Sequence, residues 1–150
     1  MKKLSFLMSL LLLFNLCTFS AAALSPEVYQ ETQVIYTEEY GDVLVETTLI
    51  IQPSLFRSSE KTASRTNNYS SGGTRIATVT LTATFGYDGR SAWVEDADSS
   101  HTVSGGWSYK NEEITTSGNT AELTAKLTKL LSSNIPVELS LSCSPTGTIS

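Results

Sequence analysis

Alternation of apolar and polar side chains over residues 78–85 is the feature that most limits the fold. Val79, Leu81, Ala83 and Phe85 alternate with four threonines. Successive side chains of a β-strand point to opposite faces, so a period of two predicts a strand with one buried and one polar face. Sheets buried on one side only are typical of antiparallel proteins. The pattern therefore favours an all-β fold.

Composition agrees with this fold class and narrows the choice of partners. Serine and threonine contribute 19 residues each to the 127 that follow residue 23. All 15 acidic residues also lie there, and losing Lys2 and Lys3 with a leader takes the net charge from −5 to −7. Nucleic acids and anionic membrane surfaces reward clustered lysine and arginine. We therefore expect neither as a partner.

The first 23 residues have the pattern of a cleavable signal peptide. Lys2 and Lys3 precede an almost unbroken apolar stretch over 4–19, and three alanines end at Ala23. An uncleaved anchor is the alternative, but 16 apolar residues fall short of the roughly 20 that a spanning helix needs. We predict cleavage after Ala23 and a secreted, extracellular, monomeric protein with no stable membrane insertion.

Turn residues divide the remaining chain into seven or eight short strands. The pair Asp88-Gly89 is typical of a hairpin turn, because both residue types tolerate positive φ. Residues 120–131 alternate as a strand does but also place leucines at helical spacing, and we favour the strand. The other predicted strands cover 32–37, 43–52, 74–85, 92–103 and 107–116.

These strands predict one domain over 24–150. We expect an N-terminal hairpin at 24–52, a polar loop or edge strand at 53–73, and the main sheet at 74–150. The polar segment would form an edge strand over 61–69, with Lys61 and Arg65 blunting the edge against aggregation. The best single architecture is an antiparallel β-sandwich of immunoglobulin-like type. The Cys-Trp-Cys pattern of true immunoglobulin domains is absent, so this likeness is architectural.

Cys143 is the only cysteine outside the predicted leader, so an intramolecular disulfide is excluded for the mature chain. It continues the alternation of Val137, Leu139 and Leu141. Free cysteine is among the most buried residue types. We interpret Cys143 as a core residue rather than a nucleophile or a link between chains.

No residue stands out as catalytic. His101 is the only histidine, and the serines beside it are uninformative because a Ser-His-Asp triad is assembled by the fold and not by sequence adjacency. We interpret His101 as exposed or hydrogen-bonded, and we predict no cofactor. The alternative is a small secreted hydrolase or effector whose site forms only in three dimensions.

Acidic residues offer a calcium hypothesis. Glu95, Asp96 and Asp98 could supply oxygen ligands together with Glu112 and Glu113 on the next strand. Their spacing does not match the EF-hand loop. The favoured interpretation is a solvated acidic rim that keeps the sheet soluble.

Aromatic residues give the more useful binding hypothesis. Trp107 and Tyr109 share one face of their predicted strand, and Tyr87 and Trp93 flank the preceding turn. Exposed aromatic rings can stack on sugar rings or peptide side chains. The alternative is that each tryptophan fills the core. The sequence therefore predicts a noncatalytic module that binds a glycan, a peptide or a surface protein.

Several segments resemble a group of short secreted bacterial proteins without a known activity. They are Thr82-Ala83-Thr84-Phe85-Gly86-Tyr87-Asp88-Gly89-Arg90-Ser91, Trp107-Ser108-Tyr109, Ser117-Gly118-Asn119 and the final ten residues, Leu141 to Ser150. The resemblance covers about 61–150. It implies a small extracellular β-domain exported from a bacterial cell, and it implies no activity, cofactor or site residue.

Overall fold

A computed structural model describes residues 31–52 and 59–150, which form eight antiparallel strands. No helix among these residues could cross a membrane. The predicted signal peptide, residues 1–23, lies outside the described part. The strands are β1 (Glu31–Tyr40), β2 (Val43–Ile51), β3 (Glu60–Ser71), β4 (Thr74–Tyr87), β5 (Ala92–Val103), β6 (Ser108–Ser117), β7 (Thr120–Thr128) and β8 (Ile135–Ser142).

The strands form two sheets that pack as a sandwich. One sheet has the order β1-β2-β3-β4-β5 and the other the order β6-β7-β8. Every hydrogen-bonded neighbour within a sheet is therefore also the neighbour in sequence. The predicted all-β sandwich is confirmed. Immunoglobulin domains pass the chain between sheets repeatedly, whereas within the described residues it passes once, between β5 and β6, so the immunoglobulin-like type is not confirmed.

The core lies between the two sheets and follows the predicted alternation. On β4, Val79, Leu81 and Phe85 are fully buried. The facing sheet contributes apolar side chains of β7 and β8, among them Leu123 and Leu141, which are also fully buried. Burying an aliphatic or aromatic side chain of this size contributes about 1.5–3 kcal/mol. The inner faces of the sheets therefore supply the main stabilisation.

The prediction of a loop or edge strand over 53–73 is wrong where the structure describes it. Strand β3 occupies the middle of the five-stranded sheet, between β2 and β4. The β1–β2 hairpin therefore joins β4 and β5 in the larger sheet. The predicted main sheet over 74–150 is wrong as one sheet, because β6, β7 and β8 form the second sheet. Residues 53–58 lie outside the described part.

A polar strand can take this central place because only its inner face meets the core. On the outer face, three hydroxyl pairs join β3 to β4, each at 2.9 Å. Such cross-strand pairs contribute about 0.2–1 kcal/mol each. They are Thr62 with Thr84, Ser64 with Thr82, and Thr66 with Thr80.

The ambiguous segment 120–131 is a strand as far as Thr128, as predicted. Its alternation places Leu123 and Leu127 in the core. Leu130 and Leu131, which helical spacing would have put on the same face, are exposed in the loop that follows.

Cys143 is buried and its prediction as a core residue is confirmed. Its Sγ contacts the Ser144 carbonyl oxygen at 3.4 Å, and its backbone forms a bridge with Ile149. Burial raises the pKa of the thiol, which disfavours the reactive thiolate.

A small polar network is buried beside β8. Thr47 donates a hydrogen bond to Asn67 Oδ1 at 2.6 Å, and Asn67 Nδ2 donates to the Tyr69 hydroxyl at 3.2 Å. All three side chains are buried. Burial raises the pKa of Tyr69 to about 12, because the phenolate would lose its hydration.

Leu81→Ala should lower the free energy of unfolding by about 2–5 kcal/mol, because it leaves a cavity between the sheets. Leu44→Ala is the matched control. Leu44 is 42% exposed, so we expect a loss below about 1 kcal/mol. Urea denaturation of both variants measures the difference. Equal losses would contradict the assignment of the core.

Alkaline pH should destabilise the protein through Tyr69. Its folded pKa is raised, so the stabilisation is complete below the unfolded value near 10 and is lost as pH rises from 10 towards 12. The loss from this residue is about 2–3 kcal/mol. Denaturation at several pH values should show that the free energy of unfolding falls less steeply with rising pH in Tyr69→Phe than in the parent. Tyr36→Phe, on exposed β1, is the control, and its free energy of unfolding should fall with pH as that of the parent does.

Candidate functional site

Loops at one end of the sandwich enclose a cleft of about 580 Å³. The β1–β2 turn, the β5–β6 turn and the β7–β8 loop supply most of its wall. Among the lining residues are Tyr40, Asp42, Trp107, Lys129 and Asn134. This volume lies within the range of small-molecule binding sites. We call it the loop-end cleft.

The β5–β6 turn positions Trp107. Gly105 and Gly106 have φ of +63° and +79°, a conformation that glycine adopts without strain. The Trp107 N–H closes the turn on the Ser104 carbonyl at 3.2 Å, and the Ser104 N–H anchors it to Ile76 at 2.8 Å. Trp107 therefore lies in the turn before β6, not in the strand as predicted. Its indole is half-buried, with one part on the core and one part in the cleft.

Polar and charged groups complete the wall of the cleft. Asp42 accepts a hydrogen bond from Ser71 Oγ at 2.8 Å, which orients its carboxylate. Lys129 places its Nζ 5.7 Å from the centre of the Trp107 ring, a cation–π distance. The Tyr40 hydroxyl donates to Glu38 at 3.0 Å, and this bond to the carboxylate raises the pKa of Tyr40. The cleft thus combines aromatic rings with donors, acceptors and charges of both signs.

Two adjacent leucines lie in the β7–β8 loop, between cleft-lining Lys129 and Ser132. Leu130 and Leu131 are 86% and 99% exposed. Leu131 also has φ of +63°, which costs a residue with a Cβ about 1–2 kcal/mol. The Ser132 N–H, which donates to the Lys129 carbonyl at 3.2 Å, holds the turn.

The other predicted aromatic residues lie elsewhere. Trp93, on β5, packs over Gly86 on the outer face of the larger sheet, where a methyl group at Gly86 would collide with the indole. Tyr87 packs against Gly147 in the C-terminal segment, beside Lys61, whose Nζ donates to the Gly147 carbonyl at 2.6 Å. The structure therefore does not gather the four aromatic side chains into one surface.

Tyr109 pairs with the only histidine. Its ring stacks on that of His101, with centroids 3.9 Å apart. Burial and the nearby Glu112 carboxylate raise the pKa of Tyr109. His101 Nδ1 lies 3.8 Å from Glu112 Oε2, and within 31–52 and 59–150 it makes no hydrogen bond to a serine. The two rings therefore form a half-exposed stack between β5 and β6, which are edge strands of the two sheets.

The acidic residues of β5 lie mainly along its outer face. Asp96 and Asp98 are opposite Thr84 and Thr82, and Glu95 occupies an irregularity in the pairing with β4. In the described part of the chain no three His, Cys, Asp or Glu side chains are placed to hold a metal ion. The calcium hypothesis therefore receives no geometric support.

Comparison with protein-family models, with curated protein sequences and with solved structures finds no match. The resemblance to short secreted bacterial proteins stays a prediction.

The sequence indicates Trp107 as a binding residue but does not indicate the other residues of the cleft. Tyr40 and Asp42 lie at the junction of β1 and β2, and Lys129 and Asn134 lie in the β7–β8 loop, far away in sequence. The available signal was weak. The β1–β2 turn and the β7–β8 loop both contain residues typical of loops. Such residues indicate where the chain turns but not which turns lie together in the fold.

Leu131→Asn should raise the free energy of unfolding by about 1 kcal/mol, because asparagine tolerates the left-handed conformation better than leucine. Leu130→Asn is the neighbouring control. Leu130 does not have a positive φ, so we expect a change within about 0.5 kcal/mol. Thermal and urea denaturation measure both. A gain for Leu130→Asn and none for Leu131→Asn would contradict the assigned strain.

Proposed function

We propose that this protein is an exported, noncatalytic binding module that holds a saccharide in its loop-end cleft. Export from a bacterial cell after cleavage at Ala23 is part of the same proposal. The observation that carries it is the meeting of Trp107 with hydrogen-bonding side chains in a cleft of about 580 Å³.

The chemistry of the cleft fits a sugar ring. The C–H faces of a pyranose are apolar and pack on an aromatic ring, while its hydroxyls need donors and acceptors at the perimeter. Trp107 and Tyr40 supply rings, Asp42 and Asn134 supply acceptors, and Lys129 supplies a donor. The carboxylate of Asp42 is already held by Ser71, so little side-chain entropy is lost when a ligand binds.

The position of the cleft also suits a binding role. Loops on a rigid β scaffold commonly carry recognition residues, because they vary without disturbing the core. The turn that bears Trp107 is anchored to β4 through Ser104, and the turn that bears Asp42 is anchored to β3. The site is therefore preorganised.

Binding can be followed through tryptophan fluorescence. In Trp93→Phe, Trp107 is the only remaining tryptophan and reports on the cleft. We expect a saturable change in its emission with one member of a panel of neutral hexose, N-acetylhexosamine and uronic acid oligosaccharides. Calorimetry on the parent protein should then give the same affinity as Trp93→Phe.

Trp107→Ala should weaken that binding about tenfold or more, because the stacking surface is lost. Asp42→Asn, which keeps the shape of the side chain, should weaken it several-fold. Denaturation of each variant separates loss of binding from loss of folding. A panel without any binder would refute the proposal, as would binding that survives Trp107→Ala but disappears in Trp93→Phe.

A further inference from the structure

The two sheets differ in width, so that among the described strands none of the smaller sheet covers the inner face of β1 next to the edge of β8. Strand β8 is the last strand of its sheet and packs across β3 and β4. Strands β1 and β2 extend beyond it in the larger sheet. The inner side of β1 therefore lies open beside β8, and its Tyr36 is 41% exposed.

The free edge of β8 offers backbone hydrogen bonds. Ser142 exchanges two backbone bonds with Ser150, at 2.9 and 3.0 Å, on the side away from β7. Backbone groups alternate sides along an antiparallel strand, so those of Ser140 and Glu138 face the same way. In residues 31–52 and 59–150 no strand pairs with them there. The Glu138 carbonyl accepts a hydrogen bond from Asn67 Nδ2 at 3.5 Å, so the Glu138 N–H and both backbone groups of Ser140 remain for a partner strand. A strand bound beside Ser140 and Glu138 would therefore extend the pairing that Ser150 makes with Ser142.

A groove runs along this edge. It consists of two adjoining depressions of about 320 and 140 Å³, and Tyr36 and Glu138 line both. The larger one also contains Arg65, Glu122 and Ser140, and the smaller one contains Glu38 and Pro136. The residues from Pro136 to Ser140 span about 13 Å of strand, which is enough for a segment of about five residues.

The groove has charged groups at both its inner and its outer side. Arg65 reaches it from β3, and its Nε is buried without a hydrogen-bond partner. Burial lowers the pKa of Arg65, so its charge is poorly solvated there. A carboxylate would satisfy both the charge and the open N–H. Three carboxylates also line the groove. Glu122 and Glu138 are exposed on the outer faces of β7 and β8, and Glu38 accepts a hydrogen bond from the Tyr40 hydroxyl.

We propose that this groove binds an extended segment of a partner protein as a fourth strand beside β8. The segment runs antiparallel to β8 and places an acidic side chain inward, over Arg65. Its outward side chains are basic and face Glu138, as cross-strand pairs of opposite charge do. A second copy of the chain fits less well, because its edge strand β1 brings Glu38 and Glu39 to a protein whose net charge is already −5.

A blocked peptide of sequence Thr-Val-Lys-Glu-Lys-Val-Thr tests this pattern. It presents valine, glutamate and valine on one face and lysines on the other. We expect saturable binding, with amide NMR shifts centred on β8. The charge-exchanged peptide Thr-Val-Glu-Lys-Glu-Val-Thr should bind at least about tenfold more weakly. N-methylation at the central residues should abolish binding by removing strand hydrogen bonds.

Arg65→Gln should lower the affinity for the first peptide about tenfold. It should also remove most of the preference for the first peptide over the second. Lys110→Gln lies on β6, at the edge opposite β8 in the three-stranded sheet. It makes the same change of net charge and should bind the peptide like the parent. Light scattering during the titration reports self-association. Equal binding of the two peptides, shifts centred on β1 or β5, or a dimer that excludes the peptide would overturn the proposal.

Discussion

Burial of one alternating face against another is the interaction on which this structure depends. The inner side chains of β4, among them Leu81 and Phe85, meet those of β7 and β8 from the opposite sheet, such as Leu123. The described chain has no helix and no disulfide to share this task. The turns at the sandwich ends are therefore free to carry polar and aromatic groups, because the contact between the sheets already fixes where each strand ends.

The outer face of the larger sheet shows how a polar sequence fits such a structure. Threonine and serine hydroxyls of β3 and β4 pair with one another there, so polar side chains at these positions cost little. The burial of only one face of each sheet also explains the low number of large apolar residues. Each strand needs them on one side only, and the opposite side can carry hydroxyls along its whole length.

The strands could be predicted from the sequence because alternation is local. The pattern around Leu81 and around Leu123 is visible within eight residues, and both segments are strands. The place of β3 could not be predicted, because its polar outer face resembles that of an edge strand. The partners of Trp107 were missed for a related reason. Asp42 and Lys129 come together at the cleft only when the two sheets pack. The pattern of a short sequence segment cannot predict that packing.

The meander order of both sheets has a consequence for how the chain folds. Every hydrogen-bonded strand pair closes a short loop, so each sheet can form from contacts that are near in sequence. Docking of the sheets is the step that brings distant residues together, since Phe85 and Leu141 are separated by more than 50 positions. The largest cost in loop-closure entropy therefore falls on the docking of the two sheets, and we expect this step, rather than strand pairing, to limit the rate of folding.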